Sequence, residues 1–406
     1  MRQHISLLCL FLQLWIVPAY GWRYVYGRPQ AVSQFKQWYE QYGYVFKDIL
    51  NKKCQKEYQN YLYGIDSNVT AIDWQGGGDE PSIITQPVIL CILNNTSDYI
   101  KSVMSSAQVL LGLTPTILAL LGPSSAELSL LTVVARRPGF ALLLALACPS
   151  VYLSRAFDNG SPLDILKERP GRLPQWRFKG WKRWALVAVQ YSIALGALSN
   201  VGILYYQLGV RTVCMFWPNG TVAVPIWGIL VLPVHIVGTF IFRLQARRTY
   251  SDEHGLEPLQ FIGFRQWIGR SWVRVQELLK TEFIPAASQD HMYVIAFNER
   301  KWLIFLNWVL TPSIVIHVIF GTLVLSSLTF IGPRDAIEVV GRFMVSVLLC
   351  RALLMYEIAG IRDRYNSSSG GLVPILPIKE ADDLITKPEV SATKYDGYVW
   401  TVETRE

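Results

Sequence analysis

Two histidines and an arginine stand inside long apolar runs of this chain: His235, His317 and Arg351. Ionisable side chains are costly in hydrocarbon, so such residues face a cavity, a partner or a proton path. An imidazole titrates near neutrality and can donate or accept a hydrogen bond. His235 and His317 therefore suit proton sensing or ligand contact, and equally a neutral hydrogen bond between helices. Arg351 lies about nine residues from the end of its run, roughly 13 Å at helical rise. That is too far to snorkel out easily, so Arg351 should point inward and needs an acceptor. Glu338 and Arg342 are spaced i,i+4 and are expected to pair with each other. Glu357 is expected near the membrane boundary, in contact with water. Pro115, Pro225, Pro233 and Pro312 also fall in the apolar runs, where proline marks either a broken helix or ordinary packing.

The elements that must position these residues are membrane spans. Val103–Gly122, Trp184–Tyr206, Val222–Leu244, Trp302–Ile331 and Ile337–Gly360 are each long enough to cross. Trp302–Ile331 exceeds a straight crossing, which predicts tilt or a kink at Pro312. Phe140–Leu153 is too short to span and reads as re-entrant or interfacial. Arg136-Arg137 cannot sit cheaply in mid-bilayer, so 128–153 is expected to dip in and return. The fold expected is an all-α membrane protein of five transmembrane helices plus this half-membrane element. The alternative counts 140–153 as a sixth span.

Met1–Gly21 has a basic start, an apolar run and a small-residue exit, the anatomy of a signal peptide. Residues 22–101 then form a small luminal or extracellular domain. Phe35, Trp38, Tyr39, Tyr42, Phe46, Ile49 and Leu50 recur at helical spacing and predict one amphipathic helix. Asn68, Asn94, Asn95 and, further on, Asn219 head glycosylation sequons. Cys54 and Cys91 share the polar region, and an oxidising lumen permits a disulfide between them. Cys214 is the odd thiol on the same side. Cys148 and Cys350 lie in apolar segments and read as packing residues.

Lys and Arg concentrate in 154–182 and 245–301, so both loops are expected in the cytosol. Residues 207–221 and 332–336 then face the lumen, and the polar tail 361–406 is cytosolic. The Trp/Arg/Lys mixture at 176–184 and the basic amphipathic stretch 261–280 suit anionic headgroups of the cytosolic leaflet. The bilayer is thus the expected partner, in a multi-pass protein of the secretory pathway, with the plasma membrane favoured.

Hydrophobic residues make up 51% of the chain and charged residues 17%, which is apolar for a soluble protein. The net charge of +8 is the positive-inside bias and matches no nucleic-acid module. No Cys/His spacing resembles a metal site, and nothing implies a cofactor. Gly-x-Ser-x-Gly, His-Glu-x-x-His and the P-loop are absent, and His254 and His291 have no nucleophile motif beside them. An enzyme is not expected.

The run Gly112-Leu-Thr-Pro-Thr-Ile-Leu-Ala-Leu-Leu-Gly122 is followed by Glu127, by Ala135-Arg136-Arg137-Pro138 and by Cys148-Pro149-Ser150. This block, over roughly 103–156, resembles one in a group of uncharacterised polytopic fungal membrane proteins. The resemblance implies class and topology and carries over no functional residue. Two functions stay open. One is a transporter or channel-like protein using the half-membrane element and the His235/His317/Arg351 interior. The other is a sensor, receptor or scaffold that binds through 22–101 and reports through the cytosolic helix and tail.

Overall fold

The computed structural model describes residues 34–63, 85–152, 178–215, 217, 221–249, 281–289, 293–296 and 301–369. The signal segment, most of the 154–182 loop, the 261–280 stretch, the tail beyond 369 and the sequon asparagines Asn68 and Asn219 lie outside these residues. The chain divides into two compact units.

The first unit comprises the described residues up to Val109 together with Gln207–Ala223 and Ser327–Ala336. Its helices are α1 (Gly43–Lys52), α2 (Gln55–Tyr63) and α3 (Thr85–Asn95). Phe35, Phe46, Ile49, Leu50, Val88, Ile89 and Ile92 pack into one core. The Cys54–Cys91 disulfide ties α3 to the α1–α2 junction, with the two Cα atoms 5.8 Å apart. The single helix expected over 35–50 begins only at Gly43. Phe35 is left-handed (φ 62°), which a helix does not allow, yet its ring still enters the core. Burial there, not helical phase, governs the spacing. Burial also pushes the Tyr61 phenol above its ordinary value, and neighbouring Tyr58 adds to this.

Both short connections join this unit through hydrogen bonds. β1 (Val213–Cys214) pairs antiparallel with β4 (Leu328–Thr329). Gln41 accepts from Arg334 N–H at 2.9 Å, and Asp335 accepts from Gln41 N–H at 3.1 Å. The Cys214 thiol is buried 3.0 Å from Ser327 Oγ.

Five helices are long and apolar enough to cross a membrane, as expected. They are α4 (Asp98–Leu121), α7 (Trp181–Arg211), the pair α8 (Ala223–Ile229) and α9 (Val231–Gln245), α10 (Lys301–Ser326) and α11 (Pro333–Ser369). The α8–α9 break falls at Leu230: Pro233 has no N–H to continue the ladder. Pro115 and Pro312, in contrast, lie within unbroken helices. The long apolar run ends its helix at Ser326 instead of Ile331, because Leu328–Thr329 are drawn into strand pairing.

The second unit is the bundle: Leu110–Tyr206, Val224–Ser326 and the chain from Ile337. Val231, Val234 and Ile241 of α9 share a core with Leu310 and Ile314 of α10 and with Val151. At the end of α9, β2 (Ala246–Thr249) pairs with β3 (Tyr293–Ala296) in a short antiparallel ribbon.

Between α4 and α7 lie α5 (Ser125–Val133) and α6 (Pro138–Ala147). They form a closed hairpin. At its base Tyr152 N–H donates to Pro123 O at 3.1 Å, and Ser150 Oγ donates to Pro115 O at 3.1 Å. α4 by itself, at 24 residues, is long and apolar enough to cross and covers the span expected over Val103–Gly122 to within one residue at its end. α6 then runs back and stops inside the bundle, so it is the half-length element.

Candidate functional site

Pro123 cannot continue α4, and Ser124 caps the new helix α5. The Ser124 hydroxyl accepts from Glu127 N–H at 3.2 Å, and the Glu127 carboxylate accepts from Ser124 N–H at 2.8 Å. This reciprocal capping box satisfies two backbone amide groups at the start of α5. The same Glu127 oxygen pairs with Arg351 of α11. Arg351 thus points inward, and Glu127 is its acceptor. Where α6 ends, the buried thiol of Cys148 neighbours that of Cys350 on α11.

His317 of α10 reads the end of α6: its Nε2 lies 3.0 Å from Pro149 O. A carbonyl can only accept, so Nε2 carries the proton and Nδ1 presents a lone pair. Trp227 of α8 stacks on the imidazole, with ring centroids 6.1 Å apart. His235 of α9 is buried within electrostatic reach of His317. Among the described residues neither nitrogen of His235 has a hydrogen-bond partner, nor do His317 Nδ1 and Trp227 Nε1. Glycines let these bulky rings close on the helices: a β-carbon at Gly321 would strike the Trp227 indole, and one at Gly228 the Tyr205 phenol.

The structure therefore gathers His235 and His317 at one place, with Arg351–Glu127 beside the hairpin base. The ends of two interrupted elements converge there. α5 begins at Ser125, with amide groups directed toward its N-terminus, and just beyond the end of α6 the Pro149 carbonyl is held by His317. Such half-helix ends carry opposite partial charges.

A second polar constellation lies at the hairpin tip. Arg136, left-handed at φ 53°, lies in the turn after α5, and Arg137 is the N-cap of α6. The Arg137 side chain is fully buried and pairs with Glu357 of α11 at 2.8 Å. It also donates to Gln190 Oε1 at 3.1 Å and to Glu282 O at 2.8 Å. Phe140 presents its ring 4.3 Å from the guanidinium. The Glu282 carboxylate accepts from Phe140 N–H (2.6 Å) and the Tyr191 hydroxyl (2.6 Å). Glu357 also accepts from Gln190 Nε2 at 2.5 Å and from Ala286 N–H at 3.0 Å. Glu357, expected in water, is 1% exposed. Its partner comes from 220 residues earlier in the chain, so sequence neighbours gave no hint.

Glu357, Gly360 and Arg364 share one face of α11 and grip residues 281–289. Gly360 lies against the Ala287 backbone, and Arg364 donates to Ala287 O at 2.8 and 3.1 Å. Gln289 Nε2 donates to Ala135 O at 2.8 Å from the other side. The spacing i, i+3, i+7 of Glu357, Gly360 and Arg364 is the signal that reveals this face.

Arg137 and Glu357 also fix direction. Glu127 meets Arg351, and Arg137, ten residues later, meets Glu357, six residues later. α5 thus runs alongside α11 in the same sense, and α6 returns toward Cys350. The expected Glu338–Arg342 pair does not form: Arg342 Nε and Nη2 donate to Asn200 Oδ1 at 3.0 and 2.9 Å. Of the remaining expected sites, Asn94 and Asn95 are exposed at the end of α3, and Trp181 and Trp184 at the start of α7 are exposed. No group of three or more metal-binding side chains occurs among the described residues. No family profile, curated protein or solved structure matches the chain.

Proposed function

We propose that this protein moves a small polar solute or ion across a membrane, in the manner of a transporter or channel. The observation that carries this reading is the meeting of interrupted helices with ionisable residues inside the bundle. α5 starts and α6 stops there, α8 and α9 break nearby in the chain, and His235, His317 and the Glu127–Arg351 pair face the interior. Irregular backbone within a membrane is tolerated where it is buried in protein or lines a polar path. Discontinuous helices supply both amide and carbonyl ends to a bound solute. The block of resemblance to fungal membrane proteins, 103–156, contains this interruption.

The test is flux into proteoliposomes for a panel of ions and small polar solutes. His235→Phe and His317→Gln are the variants of choice; glutamine keeps a donor for Pro149 O. Wild type should carry at least one probe, and the double variant should reduce that flux by about tenfold or more. Unchanged flux in the double variant would overturn the reading.

The second reading, a sensor or scaffold, draws on the first unit. That unit has its own core and disulfide and takes in the 207–223 and 327–336 connections. Movement there would act on α4, α7 and α11, which begin or end in it. Loss of biological activity on disrupting this unit, with flux intact, would favour that reading.

The orientation proposed puts the first unit in the lumen or outside the cell and 154–182 in the cytosol. The 207–223 and 327–336 connections join one compact unit with 34–109, which supports a common side for all three. Glycosylation mapping checks this: Asn219 should be modified and Asn159, in the sequon Asn159-Gly160-Ser161, should not. Modification of Asn159 would invert the assignment of the basic loop.

A further inference from the structure

Side chains with unused hydrogen-bonding capacity line up across the bundle. Tyr205 of α7 packs its ring on Phe343 of α11, Phe343 meets Trp227 of α8, and Trp227 stacks on His317 of α10. His235 of α9 completes the line: Val231 and Val234 beside it pack on Leu310 and Ile314, in the two turns before His317. Among the described residues, Tyr205 Oη, Trp227 Nε1, His317 Nδ1 and both ring nitrogens of His235 are buried without a hydrogen-bond partner. The line also descends. Measured along the helices from Arg211, Ala223 and Ser326, the ends proposed to be luminal, Trp227 lies about 6 Å in, Tyr205 about 9 Å, His317 about 14 Å and His235 about 18 Å.

Unpaired polar groups at such depth are costly unless something brought to them makes the bond. Their chemistry limits what that can be. The Trp227 indole N–H only donates, so it needs an acceptor. His317 Nδ1 only accepts, because Nε2 donates to Pro149 O, so it needs a donor. A metal cation offers neither, a halide only accepts, and ammonium only donates. A charge beside the histidines would also find Glu127 already held by Arg351 and so lack a counterion. We propose that this line is the path of an uncharged solute that both donates and accepts hydrogen bonds, a hydroxyl or amide compound of the polyol or urea kind. The ring faces of Tyr205, Phe343 and Trp227 suit its carbon skeleton, and their polar edges pass it on to the histidines. The inference narrows the transport reading above and rests on it.

Proteoliposomes of the full-length protein, given urea, glycerol, potassium or chloride separately, test this. Urea or glycerol should enter well above the rate into protein-free vesicles, and an imposed membrane potential should not change that rate, since no charge moves. Trp227→Phe and Tyr205→Phe delete only the unpartnered groups. Each should therefore unfold near the wild-type temperature yet lower the flux by roughly threefold to tenfold, the worth of one hydrogen bond. Potassium or chloride flux, with or without urea and glycerol, would overturn this inference and leave transport standing. Absence of flux for every probe would remove the transport reading and this inference with it. Stable phenylalanine variants with wild-type flux would also overturn it, because the polar edges would then serve packing alone.

Discussion

Arg137→Met should destabilise the protein by about 3–5 kcal/mol, and adding Glu357→Leu should recover most of that loss. The single change leaves a fully buried carboxylate facing Gln190 and Ala286 N–H without its cation. The double change removes both charges and puts apolar groups into a water-free site. The same logic makes Glu357→Leu alone severe, since Arg137 then keeps only neutral partners. Thermal unfolding in detergent, followed through the 14 tryptophans, measures the effect. A coupled pair gives two unstable single variants and a near-normal double variant. Additive losses, or a single loss below about 1 kcal/mol, would refute the pairing argument. The single variants should also free residues 281–289 to faster hydrogen exchange, because Glu357 holds Ala286 N–H directly.

Removing the Cys54–Cys91 disulfide should cost about 4 kcal/mol in the first unit, from the loop-entropy relation for its sequence separation of 37. The core there is small, and the disulfide joins its third short helix to the junction of the first two. A crosslink constrains the unfolded chain, so its loss favours local opening over a change in the folded contacts. Limited proteolysis of the Cys54→Ala/Cys91→Ala variant should give early cuts within 34–97. The α9–α10 packing around Val234 and Leu310 should stay protected. Equal protease resistance in wild type and variant would show that the helices hold this unit unaided.

Apolar run length was sufficient to place all five long helices. A span must exclude water along its whole length, so that constraint is written into consecutive residues. The half-length Phe140–Leu153 run was legible for the same reason, and it appears as α6. Arg351 was legible as an inward-facing residue from its depth alone. The Cys54–Cys91 pair was expected from the position of both thiols in one polar region.

What the sequence could not supply was every partner from a distant part of the chain. Glu127 looks like a capping residue until α11 brings Arg351 to it. Glu357 looks solvated until the hairpin tip delivers Arg137. Arg342 has a carboxylate at i−4, yet it turns to Asn200 on another helix. Phe35 and Trp38 follow helical spacing, yet the chain there is turned so that the Trp38 ring meets Phe46 and Phe330 and the Phe35 ring meets Tyr61. Hydropathy is a property of a segment and is summed locally. Polar satisfaction in a water-free interior is a property of three-dimensional neighbours, and only the tertiary structure decides who they are.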